Sequence, residues 1–218
     1  MLLLEGSVKM IKENYEQIRN EVGDGVNIIA VTKYHSVEET LEAYNSGVRH
    51  FGENRVEGFI EKRKALPEDA EVHFIGTMQS RKVKDVIENL NYLHSLERES
   101  VAKKIEQAAH HVVNCFIQVN VSNESSKHGI APEALEDFLE TLQAYEYVNV
   151  IGLMTMAPAT EDQAVIDDTF KGLRDLRDQV QVKYPTVTEL SMGMSNDYPS
   201  AVSFGATFIR IGSKIMGN

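Results

Sequence analysis

Eight short apolar runs alternate along this chain with stretches of helical period, and that alternation constrains the fold more than any other feature. Asn27-Ile28-Ile29-Ala30-Val31 is the clearest case, a continuous apolar strand of the kind covered on both faces. Later strands are expected at residues 48–51, 72–75, 92–94, 112–121, 148–153, 187–190 and 207–211. A leading helix, capped at Ser7, carries Val8, Ile11, Tyr15, Ile18 and Val22 at steps of three and four. Ser36-Val37-Glu38-Glu39 has capping-box spacing and opens the next helix. Further helices are expected over 53–66, 79–90 and 97–110, and after Pro132. Another follows a second capping box, Thr160-Glu161-Asp162-Gln163, and a short one follows Ser195.

Strand–helix alternation with short connections implies a parallel sheet. Eight repeats predict an α/β fold closed into a single (β/α)₈ TIM barrel with an extra N-terminal helix, residues 1–218 forming one domain. An open doubly wound sheet is the structural alternative. At 218 residues, the chain lies at the compact end of the barrel's ~200–400 residue range, which leaves none for a second catalytic domain.

Composition narrows the functional classes. Hydrophobic residues at 42% and charged residues at 25% fit neither a disordered chain nor a membrane protein. A net charge of −11 argues against nucleic acid, because neutralising phosphates requires a basic face. The single cysteine, Cys115, excludes a disulfide framework and a cysteine-rich zinc site. Its apolar neighbours make it a small buried hydrophobe. His110-His111 point in different directions from a helix end and suggest no metal site, and His73 reads as an interior, hydrogen-bonded histidine. Met-Leu-Leu-Leu ahead of Glu5 is too short for the core of a signal peptide, so a cytoplasmic location is expected.

Barrel chemistry collects where strands run into the following loops. Lys33 directly follows the first apolar strand, where a dry environment would favour a free amine for Schiff-base formation; a lysine that merely snorkels from the rim is the plainer alternative. Ser191-Met192-Gly193-Met194-Ser195-Asn196 and Ile211-Gly212-Ser213 place glycines and hydroxyls on the last two strands, the usual phosphate cradle of such barrels. Arg210, two residues before Gly212, points into the same mouth and needs either a ligand acceptor or a carboxylate such as Glu53 or Glu189. Together these groups suggest pyridoxal 5′-phosphate (PLP), while a Schiff-base phosphosugar aldolase would use the lysine and the cradle.

Several motifs then carry a resemblance. Ala30-Val31-Thr32-Lys33, Phe51-Gly52-Glu53-Asn54-Arg55-Val56, His73-Phe74-Ile75-Gly76, Ser126-Lys127-His128-Gly129, Gly152-Leu153-Met154, the Ser191–Ser195 run and Ile209-Arg210-Ile211-Gly212 together resemble the pyridoxal phosphate homeostasis family, itself similar to the alanine racemase N-terminal domain. The resemblance implies a PLP fold type III barrel holding PLP as an internal aldimine on Lys33. It implies that Asn54 and Met154 line the cofactor, that Ser191, Gly193, Gly212 and Ser213 hold its phosphate, and that Arg210 faces the pyridine nitrogen. It further implies a role in PLP and amino-acid homeostasis without catalytic turnover, with apo PLP-dependent enzymes as recipients. A PLP-dependent racemase or decarboxylase is the alternative. Racemases of this type add a β-rich domain whose neighbouring subunit supplies a catalytic tyrosine. Lys127 is expected to help shuttle the cofactor, and a monomer is expected because no long apolar stripe is left unassigned.

Overall fold

The computed structural model describes residues 2–125 and 128–217. Among them, eight parallel strands close into a barrel in sequence order, β1 pairing with both β2 and β8. The strands are β1 (Asn27–Val31), β2 (His50–Glu53), β3 (Glu71–Phe74), β4 (Tyr92–Leu96), β5 (Val113–Gln118), β6 (Val148–Met154), β7 (Glu189–Ser191) and β8 (Phe208–Ile211). The closed barrel excludes the open sheet.

Helices wrap the outside: α1 (Leu2–Val22), α2 (Val37–Asn45), α3 (Val56–Ala65), α4 (Val83–Val86), α5 (Glu99–Ala108), α6 (Leu135–Leu142), α7 (Gln163–Gln181), α8 (Tyr198–Ser203) and α9 (Ser213–Met216). The main core lies between strands and helices, where Phe51, Phe59, Phe170 and Leu173 are sealed from solvent. A second layer fills the barrel axis with Ile29, Phe116, Met154 and Phe208. No described helix is long and apolar enough to cross a membrane.

The boundaries depart from expectation in instructive ways. The capping box at Ser36 is present in full, its hydroxyl accepting from the Glu39 N–H and the Glu39 carboxylate accepting from the Ser36 N–H. The leading helix, by contrast, does not start at Ser7: α1 already runs from Leu2, and a serine inside a helix costs only a few tenths of a kcal/mol, about 0.5 relative to alanine. The cap of α7 falls at Asp162, whose carboxylate accepts the Ala164 N–H, while Thr160 accepts the N–H of Asp162. The helix expected over 79–90 is broken into a 3₁₀ turn (Ser80–Lys82), α4 and a second 3₁₀ turn (Ile87–Asn89), in a stretch rich in β-branched Val83, Val86 and Ile87. Helix α3 begins at Val56 because Glu53 stays in β2, its carboxylate buried against Lys62 at 2.6 Å.

Candidate functional site

The C-terminal ends of the strands surround a cavity of about 870 Å³. β1 and its loop supply Val31 and Lys33, β2 and β3 lead to Asn54, Ile75 and Gly76, and β5 supplies Gln118. The loop from β6 to α7 contributes the stretch from Met156 to Glu161. Met194, Ser195, Asn196 and Asp197 follow β7, and Arg210, Gly212 and Ser213 come from β8 and the turn into α9. Five of the eight residues singled out in the sequence therefore share one cavity: Lys33, Asn54, Arg210, Gly212 and Ser213.

The other three lie beneath it. Met154 is 1% exposed and packs with Ile29, Phe116 and Phe208 in the axial layer. Ser191 is fully buried and bonded to His94 at 2.8 Å. Gly193 has φ +104, and a Cβ there would stand 2.7 Å from the Ala201 Cβ and 3.1 Å from the Tyr198 Cα. It thus lets α8 pack onto the barrel, and its carbonyl accepts the Arg210 N–H.

Arg210 is 4% exposed, and the only hydrogen-bond partner of its guanidinium among the described residues is the Thr155 carbonyl, 2.9 Å from Nη2. Neither carboxylate anticipated for it is bonded to it: Glu53 pairs with Lys62 instead. Its Nε is buried without any hydrogen-bond partner among the described residues. Burial lowers the guanidinium pKa to about 10, with the Asp197 carboxylate pulling the other way. Asp197 is itself pushed up by burial, opposed by the Met194 N–H that it accepts at 2.7 Å and by Arg210.

Lys33 differs from expectation in its surroundings. Its side chain is exposed at the open mouth rather than desolvated, and Nζ stands 5.7 Å from the centre of the Tyr34 ring. Tyr34 is 80% exposed, with φ 69. Thr32, just before Lys33, has its carbonyl 3.4 Å from the buried Lys62 amine.

On the β7 and β8 side of the cavity, the backbone N–H groups of Ser195, Asn196, Gly212 and Ser213 have no acceptor among the described residues. Gly212 presents its chain closely because nothing projects from its Cα. Free N–H groups on adjacent loops, a buried guanidinium with an unmet donor and an accessible amine suit an anionic, aromatic aldehyde. His128 also lines the cavity and lies 3.4 Å from Glu97, whereas Ser126 and Lys127 lie outside the described residues. No cluster of three His, Cys, Asp or Glu fit to hold a metal occurs among the described residues, and His111 bonds the Leu90 carbonyl.

Sequence reasoning missed Gln118, Asp197 and the whole Met156–Glu161 wall. The long gap between β6 and α7, with Pro158 in it, was the one available signal.

Residues 7–218 match the family described as alanine racemase, N-terminal domain. A pyridoxal phosphate homeostasis protein of Schizosaccharomyces pombe is 35% identical over 224 residues, covering 100% of this chain and 94% of the relative. One from Aquifex aeolicus is 37% identical over 215 residues, covering 95% and 94%. The structure of PipY from Synechococcus elongatus with PLP bound superposes with a TM-score of 0.86 at 33% identity, covering 95% of this chain and 100% of PipY. Alanine racemase of Corynebacterium glutamicum shares the fold alone, at 14% identity and a TM-score of 0.82, with 97% of this chain matching 62% of the racemase. The chain therefore belongs to the alanine racemase N-terminal domain family and, within it, to the pyridoxal phosphate homeostasis proteins.

Proposed function

We propose that the cavity holds pyridoxal 5′-phosphate and that the protein keeps and hands on this cofactor within cellular PLP and amino-acid homeostasis, without turnover of a substrate. The observation that carries the reading is Arg210: a buried guanidinium whose Nε lacks an acceptor lines the cavity. A pyridine nitrogen is such an acceptor, and beside a guanidinium it stays unprotonated, which makes the ring a poor electron sink. When bound, the cofactor supplies an aldehyde carbon open to attack by an amine. Lys33 provides that amine at the mouth, Asn54 borders the ring, and the free N–H groups at Ser195, Asn196, Gly212 and Ser213 take the phosphate. Met154, Ser191 and Gly193 support this floor from below. The names of the full-length relatives and the PLP-bound PipY structure support the same reading.

The barrel of residues 1–218 acts in this reading as a single cofactor-binding domain, a cytoplasmic monomer whose recipients are apo PLP-dependent enzymes. Among the described residues the large exposed hydrophobics away from the cavity are scattered, Val112 and Val182 among them, which supports a monomer.

An absorbance spectrum of wild type and Lys33→Ala with added PLP, before and after borohydride, tests the reading. Wild type is expected to gain a visible band and, on reduction, a pyridoxyl phosphate mass on Lys33, and the variant neither. Wild-type protein that stays colourless with excess PLP would refute it. Loaded protein mixed with an apo PLP-dependent enzyme should restore that enzyme's activity faster than the same amount of free PLP.

A further inference from the structure

Three imidazoles and a hydroxyl run through the barrel interior in a single file. His50 Nδ1 lies 2.9 Å from His73 Nε2, His73 Nδ1 lies 2.9 Å from His94 Nε2, and His94 Nδ1 lies 2.8 Å from Ser191 Oγ. His73, His94 and Ser191 are fully buried, while His50 is partly exposed at the N-terminal end of β2, the barrel floor. Stacking fixes the rings: His73 lies on Tyr92 at 4.4 Å and His94 on Phe116 at 4.3 Å. Barrel interiors are usually filled with branched aliphatics, so a polar file is a departure that needs a reason.

A ring-to-ring hydrogen bond of this length holds one proton, because two N–H groups cannot face each other across it. A neutral imidazole has one N–H and one lone pair, so fixing the direction of one bond fixes all three. With all rings neutral, the charges at the two ends select the direction. Arg210 acts on the His94 end, and at the His50 end the Glu71 carboxylate outweighs the Arg19 cation. Protons therefore point to the floor: Ser191 donates to His94, His94 to His73, and His73 to His50.

We propose that this column is a pH switch, in which protonation of His50 at the barrel floor reverses all three hydrogen bonds and turns the Ser191 hydroxyl away from His94. An imidazolium carries N–H on both nitrogens, so the charged His50 must donate to His73, and each ring above must follow. One proton is taken from solvent. The Ser191 O–H, His94 Nε2–H and His73 Nε2–H bonds break as each proton moves one site toward the floor; His94 Nδ1–H, His73 Nδ1–H and His50 Nδ1–H form, and the proton taken up enters at the Ser191 end of the file, restoring its hydroxyl while the positive charge settles on His50. The groups bearing on His50 are Glu71 of β3, Arg19 of α1 and His73, with Tyr92 of β4 beyond. Burial holds the His50 pKa below its ordinary value, Glu71 opposing and Arg19 adding to it, so the switch throws on the acid side of neutrality. The released hydroxyl lies next to Arg210's support, since the Ser191 carbonyl accepts the Thr155 N–H and the Thr155 carbonyl holds Arg210.

The column is complete without a ligand, so the inference stands independently of the cofactor reading and is tested in PLP-free protein. Long-range ¹⁵N–¹H correlation spectra of labelled imidazoles report the tautomer and charge of each ring. Between about pH 8 and pH 5, His73 and His94 are expected to convert from Nε2–H to Nδ1–H with the midpoint at which His50 becomes an imidazolium. In His50→Phe, and equally in His50→Gln, both rings should keep one tautomer across that range. His94 remaining Nε2–H while His50 charges would overturn the switch. So would a His50 that stays neutral until the protein unfolds, or a conversion that persists without His50.

Discussion

Arg210 sits inside the barrel with a backbone carbonyl, rather than a carboxylate, as its direct partner. Removing such a cation relieves a desolvation cost that no ion pair offsets, so Arg210→Met should leave the ligand-free fold as stable as wild type or up to about 2 kcal/mol more stable. PLP affinity should move the other way, falling at least about tenfold, or roughly 1.4 kcal/mol, because the ring nitrogen loses its donor. Urea denaturation without PLP and a spectrophotometric PLP titration check the two halves. A variant that loses stability and keeps affinity would show Arg210 to be structural. The inward placement of Arg210 was legible from its position two residues before Gly212. Its partner was not: Thr155 lies 55 residues away and contributes a carbonyl, which has no residue-type signature. Lys33 shows the complementary limit. Sequence put it at the strand end, but whether water reaches the amine depends on how widely the mouth opens, and the mouth is shaped by loops far along the chain.

The two glycine-bearing turns after β7 and β8 look alike in sequence, and the structure separates them. Gly193 stands at φ +104 with α8 against it, whereas Gly212 has φ −98 and would place a Cβ 3.8 Å from Val31, an ordinary contact. Gly193→Ala should therefore cost about 2–4 kcal/mol through combined strain and overlap. Gly212→Ala should stay within about 1 kcal/mol of wild type while weakening PLP binding, since its methyl enters the cavity beside the free N–H groups. Chemical denaturation of both variants with and without PLP separates the effects, and equal stability losses would contradict this assignment. At this scale the element order and the eight strands were readable because their burial repeats with a regular period. Helix ends were less so, since competing caps such as Thr160 and Asp162 differ by geometry that only the packed chain decides. The short α9 escaped notice because four residues carry no periodicity.

Taken as one body, the barrel carries a file of buried imidazoles along its axis, apart from the buried Glu53–Lys62 pair under α3, and that file shapes how the whole molecule responds to acid. Burial holds His73 and His94 well below the ordinary histidine pKa, the neighbouring positive charges adding to the effect. In the unfolded chain both return to about 6.5. Below that pH the unfolded state binds two protons that the native axis refuses, so stability falls as pH falls and is fully present above it. Each histidine contributes up to about 1.4 kcal/mol per pH unit, and the pair up to about 2.7. His50 adds to this slope only until it titrates in the native state, because from there both states carry its proton. The net charge of −11 works in the opposite sense, as acid relieves surface repulsion. At about 0.15 M salt that surface effect is screened over about 8 Å, whereas the sealed axis is not. Unfolding free energies at physiological salt should therefore be flat from about pH 7 to 8 and drop steeply from about pH 6.5 to 5. Replacing His94 by Phe should halve the buried pair's contribution to the slope whatever it does to the absolute stability. A stability that is level through pH 5, or a slope unchanged in that variant, would mean that the axial imidazoles accept protons in the folded state, in which case the column could not transmit direction from His50 to Ser191.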